Sequence, residues 1–325
     1  MSRPSPIWAF LPIWCGALAI LGNLVGGVWA VAALVLVILS GLLTGPFPTG
    51  TERRWLPVFL GLMHFGVLYS AVLASRTWEW PGAVIPLSTT ALVLAKVSNS
   101  AAHELIHSLK RIPSLLGTAV FSSHLFGHHN SAHRLVHHVH VGTDRDPNSA
   151  RRSQGLYHFL GQAWFGSLRA AFFAERARNN AGVFWTYAGL TALTLTFSAA
   201  FAGLTGLATH IGLALYASVM LLASDYVQHY GLRRATLENG ATEPVQPCHA
   251  WDAPPGLADG LMLNAPRHAH HHMRPMVPFD ELTREQAANR LPYPLPVMIW
   301  LAFAPRIWRR IMDPRLDRIA AQARA

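Results

Sequence analysis

The chain has 325 residues, 51% of them hydrophobic and only 13% charged, with a mean hydropathy of +0.26. A soluble domain carries about 25% charged residues and a disordered chain is poor in apolar ones, so neither class fits. The formal charge of +10 would suggest nucleic acid in a soluble protein. In so apolar a chain it is read instead as basic loops facing an anionic leaflet, with no nucleic-acid partner.

Six apolar stretches predict membrane-crossing helices at about 7–22, 24–43, 55–74, 82–102, 183–203 and 204–223, because a span takes about 20 residues at about 1.5 Å each. Little more than Asn23 separates the first pair, and the last pair turns near Gly203–Gly206; both are expected to be tight hairpins. The first stretch has no basic lead beyond Arg3 and no cleavage site, so it is kept as a helix rather than a signal peptide. With both termini inside, only Arg76 of the 26 Lys and Arg falls in an outer loop, and Lys96 sits near the inner end of the fourth helix. The other basic residues lie inside, as the positive-inside rule requires. The expected fold is an all-α integral membrane protein of about six transmembrane helices, in a bacterial inner membrane. Its two cytoplasmic blocks, about 103–182 and 224–325, carry the histidine clusters. Within them, 155–175 reads as an interfacial or buried helix and 291–311 as a segment on the membrane surface. The tail after Asp313 reads as a solvated basic helix or frayed end.

Histidine is over-represented, with 18 residues. Nine lie between His103 and His140 and five between His249 and His272. Three clusters share a spacing: His103 and His107; His133, His137 and His138; His268, His271 and His272. On a helix, i and i+4 share a face, while adjacent side chains diverge by about 100°, so each adjacent pair can serve two neighbouring metals. Eight histidines exceed the three or four protein ligands of a mononuclear zinc site and point to a dinuclear one. His124, His128 and His129 repeat the middle spacing, and spacing alone does not choose between the two sets. The HELIH run alone also fits a zinc peptidase with Glu104 as base, a reading the other clusters weaken. His64 and His210 are given no role, and His140, His158 and His270 are read as bystanders or supporting groups. The two cysteines, Cys15 and Cys248, exclude a disulfide scaffold. They are also too few for an iron–sulfur cluster or a rubredoxin-type iron, so if the chain does redox chemistry its electrons must come from another protein.

The pattern H-x3-H, H-x3-HH, H-x2-HH resembles the integral-membrane diiron desaturase and hydroxylase superfamily, most finely the membrane-bound alkane 1-monooxygenases, with xylene-type methyl hydroxylases as close relatives. Residues 102–108 resemble the family's HELxHK motif, and 133–152 its EHxxGHH stretch followed by ATPEDPASAR. Residues 165–176 resemble the helix that follows, 225–233 the NYxEHYGL motif, and 249–253 with 264–273 the HSWNS and LQRHSDHH motifs. The resemblance covers about residues 95–275 and selects His133, His137 and His138 over the competing set. It implies a single desaturase/hydroxylase-like domain over 1–325 and nine ligands to two iron ions: His103, His107, His133, His137, His138, His229, His268, His271 and His272. Departures from the motifs are Ala132 and Gln228 in place of Glu, Ser108 for Lys, Ile106 for Gly, and Ala269-His270 for Ser-Asp. None removes a ligand.

The resemblance implies hydroxylation: RH, oxygen and two electrons give ROH and water. The implied partners are a rubredoxin- or ferredoxin-type electron donor with its flavin reductase, a hydrophobic substrate and membrane lipid. A lipid desaturase or lipid hydroxylase of the same superfamily is the alternative. Glu104, Asp146, Asp225 and Asp252 are the carboxylates expected to support the ligands, the three aspartates as acceptors for a ring N–H of a ligating histidine.

Overall fold

A computed structural model describes residues 10–45 and 53–322; residues 7–9 of the first expected helix and both chain ends lie outside the described residues. The fold is almost wholly helical, with one two-residue parallel strand pair, β1 (Trp251–Asp252) and β2 (Asn289–Arg290). Helices α1 (Leu11–Leu24) and α2 (Val28–Leu42) form the first hairpin. The turn falls at Gly26 and Gly27, whose φ values of +74° and +58° suit glycine because it lacks a Cβ. Asn23 is therefore inside α1 rather than in the turn. It is buried and donates to Ser70 Oγ and Thr90 Oγ1, each at 3.0 Å, so three helices are joined through one amide.

Helix α3 (Leu56–Ala74) leads to a continuous rod over 84–106. The rod consists of α4 (Val84–Val93), a π turn (Leu94–Ser98) and α5 (Asn99–Ile106). The helix α10 (Val183–His229) is broken at Gly203, where φ is +60°. Ser198 Oγ lies 2.7 Å from His210 Nδ1. Twelve helical residues would span about 18 Å, so the chain folds back into two arms. Arg76 donates to the Phe201 carbonyl, and residues 26–27 and 77–82 line one cavity. The three expected outer turns thus share one end of the bundle, opposite the end where the rod 84–106 delivers His103.

Among the described residues, α3 and α10 are long and apolar enough to cross a membrane. Helix α2, at 15 residues, is shorter than the expected 24–43, because the glycine turn and the extended Leu43 consume its ends, whereas α1 runs to Leu24, past the expected end at 22. Large apolar side chains face outward on several of these helices, including Leu62, Trp185, Leu193 and Leu204, which is far from the surface of an ordinary soluble domain.

On the histidine side, α6 (Arg111–Ser123) and α9 (Leu156–Ala177) cover the bundle. Helix α9 buries Leu156, Phe159, Ala163, Ser167, Ala171 and Glu175 at near fourfold spacing and exposes Tyr157, Phe165 and Phe173. The C-terminal region packs two helices against the bundle. Helix α13 (Leu295–Ala302) buries Leu295 and Met298. Helix α14 (Pro305–Gln322) continues past Asp313, with Trp308 fully buried against Tyr226 and Tyr230. Tyr230 donates to Asp313 at 2.8 Å, and Leu316 packs over Gly231. The tail after Asp313 is thus helical, one of its two expected forms, and mostly exposed, with Leu316 fastening it to the end of α10.

Candidate metal centre

Four segments bring histidines together. His103 and His107 leave the end of α5. The second set sits on a short helix made of α7 (His129–Ala132), a π turn (His133–His137) and α8 (His138–His140). His229 ends α10, and His268, His271 and His272 lie on α12 (His268–Met273), which follows the one-turn helix α11 (Leu257–Leu261). The result is two groups: His103, His107, His133, His138 and His271 in one, and His137, His229, His268 and His272 in the other. Within each group the facing ring nitrogens all lie within 4.8 Å of one another.

The donor set fits a pair of metal ions. Nε2–Nε2 separations are 2.9 Å for His133 and His138, 3.1 Å for His138 and His271, 2.9 Å for His229 and His268, and 3.0 Å for His268 and His272. Nitrogens bonded at about 2.1 Å to one centre and at right angles stand about 3.0 Å apart. His107 Nε2 and His137 Nε2 are buried with no hydrogen-bond partner, a costly state for a polar atom unless a cation takes the lone pair. Burial, helped by the neighbouring imidazoles, pushes His107, His133, His138, His268, His271 and His272 well below the usual histidine range. Burial likewise lowers His103 to about 4. Neutral imidazole is the form that ligates.

The expected supporting carboxylates take different places. Asp146 Oδ2 accepts from His137 Nδ1 at 2.8 Å and from Ser149 Oγ at 2.7 Å, which turns His137 Nε2 toward its group. Burial lowers His137, but Asp146 outweighs it and the ring is raised. Asp225 receives Asn148 Nδ2 at 2.7 Å, not a histidine ring. Asp252 accepts the Ala269 amide at 2.8 Å, holding the first turn of α12. Glu104 accepts the Phe279 amide at 3.1 Å and so ties the loop beyond α12 to α5; burial pushes its carboxyl up to about 7.

Sequence reading missed three supports. The His249 carbonyl lies 3.4 Å from His229 Nδ1. Gln228 donates to the Ala265 carbonyl just before α12. Thr283 donates through both its amide and its hydroxyl to His270 Nδ1. Gln228 and His249 lie in stretches that the motif resemblance marked, 225–233 and 249–253, whereas nothing in the sequence marked Thr283. His124 pairs with Asn99 Oδ1 and His128 with Ser167 Oγ, both outside the two groups. His129 lies beside Phe121 and Phe126, with both ring nitrogens buried and unpartnered.

A narrow cavity opens onto His103, His133 and His268 between the rod 84–106 and the second arm of α10. It shares Leu92, Tyr216 and Trp300 with a wider groove on the outside of the helices.

This helical frame with two histidine groups has known counterparts. The model of the fatty acid desaturase family matches residues 78–302, and the chain belongs to that family. Alkane 1-monooxygenase 2 of Pseudomonas aeruginosa is 30% identical over 271 residues, covering 80% of this chain and 71% of the relative. Alkane 1-monooxygenase 2 of Alcanivorax borkumensis is 28% identical, covering 83% and 74%. The xylene/toluene monooxygenase hydroxylase component XylM of Pseudomonas putida is 26% identical, covering 82% and 73%. With relatives of this kind over four fifths of its length, the chain is an alkane 1-monooxygenase-like oxidoreductase.

Proposed function

We propose that the protein is a membrane-embedded diiron monooxygenase that hydroxylates an unactivated C–H bond, the terminal methyl of an alkane or alkyl group. The balance is RH + O2 + two electrons + two protons giving ROH + water. The observation that carries it is the division of nine histidines into groups of five and four, each pair of adjacent histidines split between them. The nine are the proposed ligands of two iron ions, one per group. Bound iron would supply oxygen reduction and the oxidising power for C–H cleavage.

The chain's own residues do the rest. Asp146 fixes the tautomer of His137, Asp252 holds the turn that presents His268, and the His249 carbonyl backs His229. The outer groove, open at the flank of the helices, suits a substrate arriving from lipid. Leu92, Tyr216 and Trp300 would pass it to the inner cavity, whose apolar walls Met220, Leu221 and Ile299 exclude water. We place both termini and the histidine groups on the cytoplasmic side of the inner membrane, with six helical segments crossing it and the whole chain acting as one domain. Electrons would come from a rubredoxin- or ferredoxin-type donor with its flavin reductase. The arginines Arg145, Arg151 and Arg233 around the Asp146 loop suit an acidic partner.

The test is metal content and product. Protein made in iron-supplied cells should hold about two irons per chain and convert n-octane or a methyl-aromatic to the alcohol when given a donor and reductase. A double bond in an acyl chain would move the assignment to a lipid desaturase. One zinc per chain, retained when His138 and His271 are replaced, would overturn it in favour of a peptidase using HELIH.

A further inference from the structure

Lys96 sits in the π turn of the rod 84–106 and is 9% exposed. An ammonium at this depth is costly, and such residues mark substrate or ion sites. Lys96 Nζ has three donors but only one hydrogen-bond acceptor among the described residues, the Val37 carbonyl at 3.2 Å. Facing it is Gly41, where a Cβ would come within 2.9 Å of Nζ, so the glycine leaves the amine its room. Lys96 also lines the inner cavity, together with Asn99 and Ser100 one turn on and His103 two turns on. Asn99 is already engaged: Nδ2 donates to the Ala95 and Ala217 carbonyls and Oδ1 pairs with His124. Lys96 is thus the cavity cation with donors to spare, and a plain hydrocarbon has nothing to accept them.

We infer that the cavity takes an aliphatic chain bearing an acceptor oxygen, carbonyl, carboxylate or hydroxyl, which Lys96 Nζ holds while a carbon further along is set against the histidine groups. Seven residues separate Lys96 from His103, about 10 Å along a helix, so the oxygen and the reacting carbon are well apart. Lys96 is then a specificity-determining residue. The inference rests on the hydroxylase reading and narrows its substrate class.

The experiment is binding calorimetry on the full-length protein in nanodiscs, with and without iron, using n-octane, octan-1-ol, octan-2-one and octanoate. Wild type should prefer the best oxygenated probe over n-octane by about tenfold to a hundredfold, the range of a hydrogen bond to a charged donor. Octanoate against octan-2-one tells an anionic group from a neutral one. Lys96→Met should erase the preference. Gly41→Ala, which keeps the lysine but crowds Nζ, should reduce it and supplies the same readout if Lys96→Met does not fold. Equal binding of all four probes by wild type, no binding of any oxygenated probe, or a preference unchanged in both variants overturns the inference. The two readings fail separately. Alcohol formed from n-octane with no Lys96-dependent preference keeps the hydroxylase and removes this substrate class. A Lys96-dependent preference with no hydroxylated product does the reverse.

Discussion

His133 and His138 lie five residues apart and meet Nε2 to Nε2 at 2.9 Å. The π turn brings them together: the His138 amide bonds to the His133 carbonyl, one residue further than in an α-helix, so the helix face advances by one position. His137, which an α-helix would align with His133, turns instead to the group of His229 and His272. The extra residue in this turn is what lets one short helix serve both groups.

Replacing a histidine in either group should therefore remove metal without unfolding the bundle. For His138→Ala or His271→Ala, iron per chain is expected to fall from about two to one or fewer and hydroxylation to vanish, with membrane insertion unchanged. Elemental analysis and a membrane-fractionation assay read both. Full activity in either variant would refute the assignment.

Asp146→Ala should leave the ligands in place but free the His137 ring to rotate or change tautomer. Loss of such a supporting carboxylate typically costs 10- to 100-fold in metal affinity. Competition with a graded chelator measures it, and wild-type affinity in the variant would show that Asp146 has no hold on the ring.

Asp252→Ala removes the acceptor of the Ala269 amide and leaves Arg290 without its 3.3 Å partner. A destabilisation of about 1–2 kcal/mol is expected from the lost cap, together with weaker metal binding by His268 and His272. Thermal unfolding with and without iron separates the two effects. Burial raises the Asp252 carboxyl to about 6, above its unfolded value, so the folded chain takes up this proton first and, through this group alone, stability should rise rather than fall as pH drops from about 6 toward 4.

Stability of the metal-free protein should also depend on pH with a fixed sign. His107, His133, His138, His268, His271 and His272 have native values well below 6.5 and His103 one of about 4, outnumbering His137, which Asp146 raises. Below about pH 6.5 the unfolded chain therefore binds more protons than the folded one, and stability falls with falling pH. Melting temperature should drop steadily from pH 7 to pH 5 and show little slope above 7. A flat profile across that range would mean that the histidines are not buried neutral.

Gly203→Ala tests the reversal of α10. Nothing lies within 4 Å of an added Cβ there, so the cost is that of the backbone alone: φ +60° with ψ −154° is a conformation essentially restricted to glycine, at about 1–3 kcal/mol for another residue. A melting temperature equal to wild type would mean that the chain does not turn with φ positive at this residue.

Hydropathy revealed the helical frame well, because each apolar run has the length of its helix to within a few residues. Its errors came from backbone detail: Gly26 and Gly27 rather than Asn23 make the first turn, since positive φ has a cost for every residue with a Cβ. The tail after Asp313 looked solvated because its composition is basic. Past Asp313, Leu316 is the buried anchor among the described residues, too little to outweigh Arg315, Arg318 and Arg324 in that composition. In the site, spacing singled out His103, His107, His268, His271 and His272 but left His133, His137 and His138 level with His124, His128 and His129; the motif resemblance chose between those sets and alone pointed to His229, which stands by itself at the end of a long helix. The π turns were not legible, since no residue type marks an inserted position. Nor were the partners of Asp225 and Glu104, which depend on loops that meet only in three dimensions.

His137–His138 and His271–His272 are each joined by one peptide link, yet each link bridges the two groups. The groups are thus yoked at two places by covalent bonds. Neither half of the centre can slide, tilt or empty its space without dragging the other through a distance no longer than an amide plane. Whatever the surrounding helices do when a substrate enters, the gauge between the two halves stays set by the chain itself.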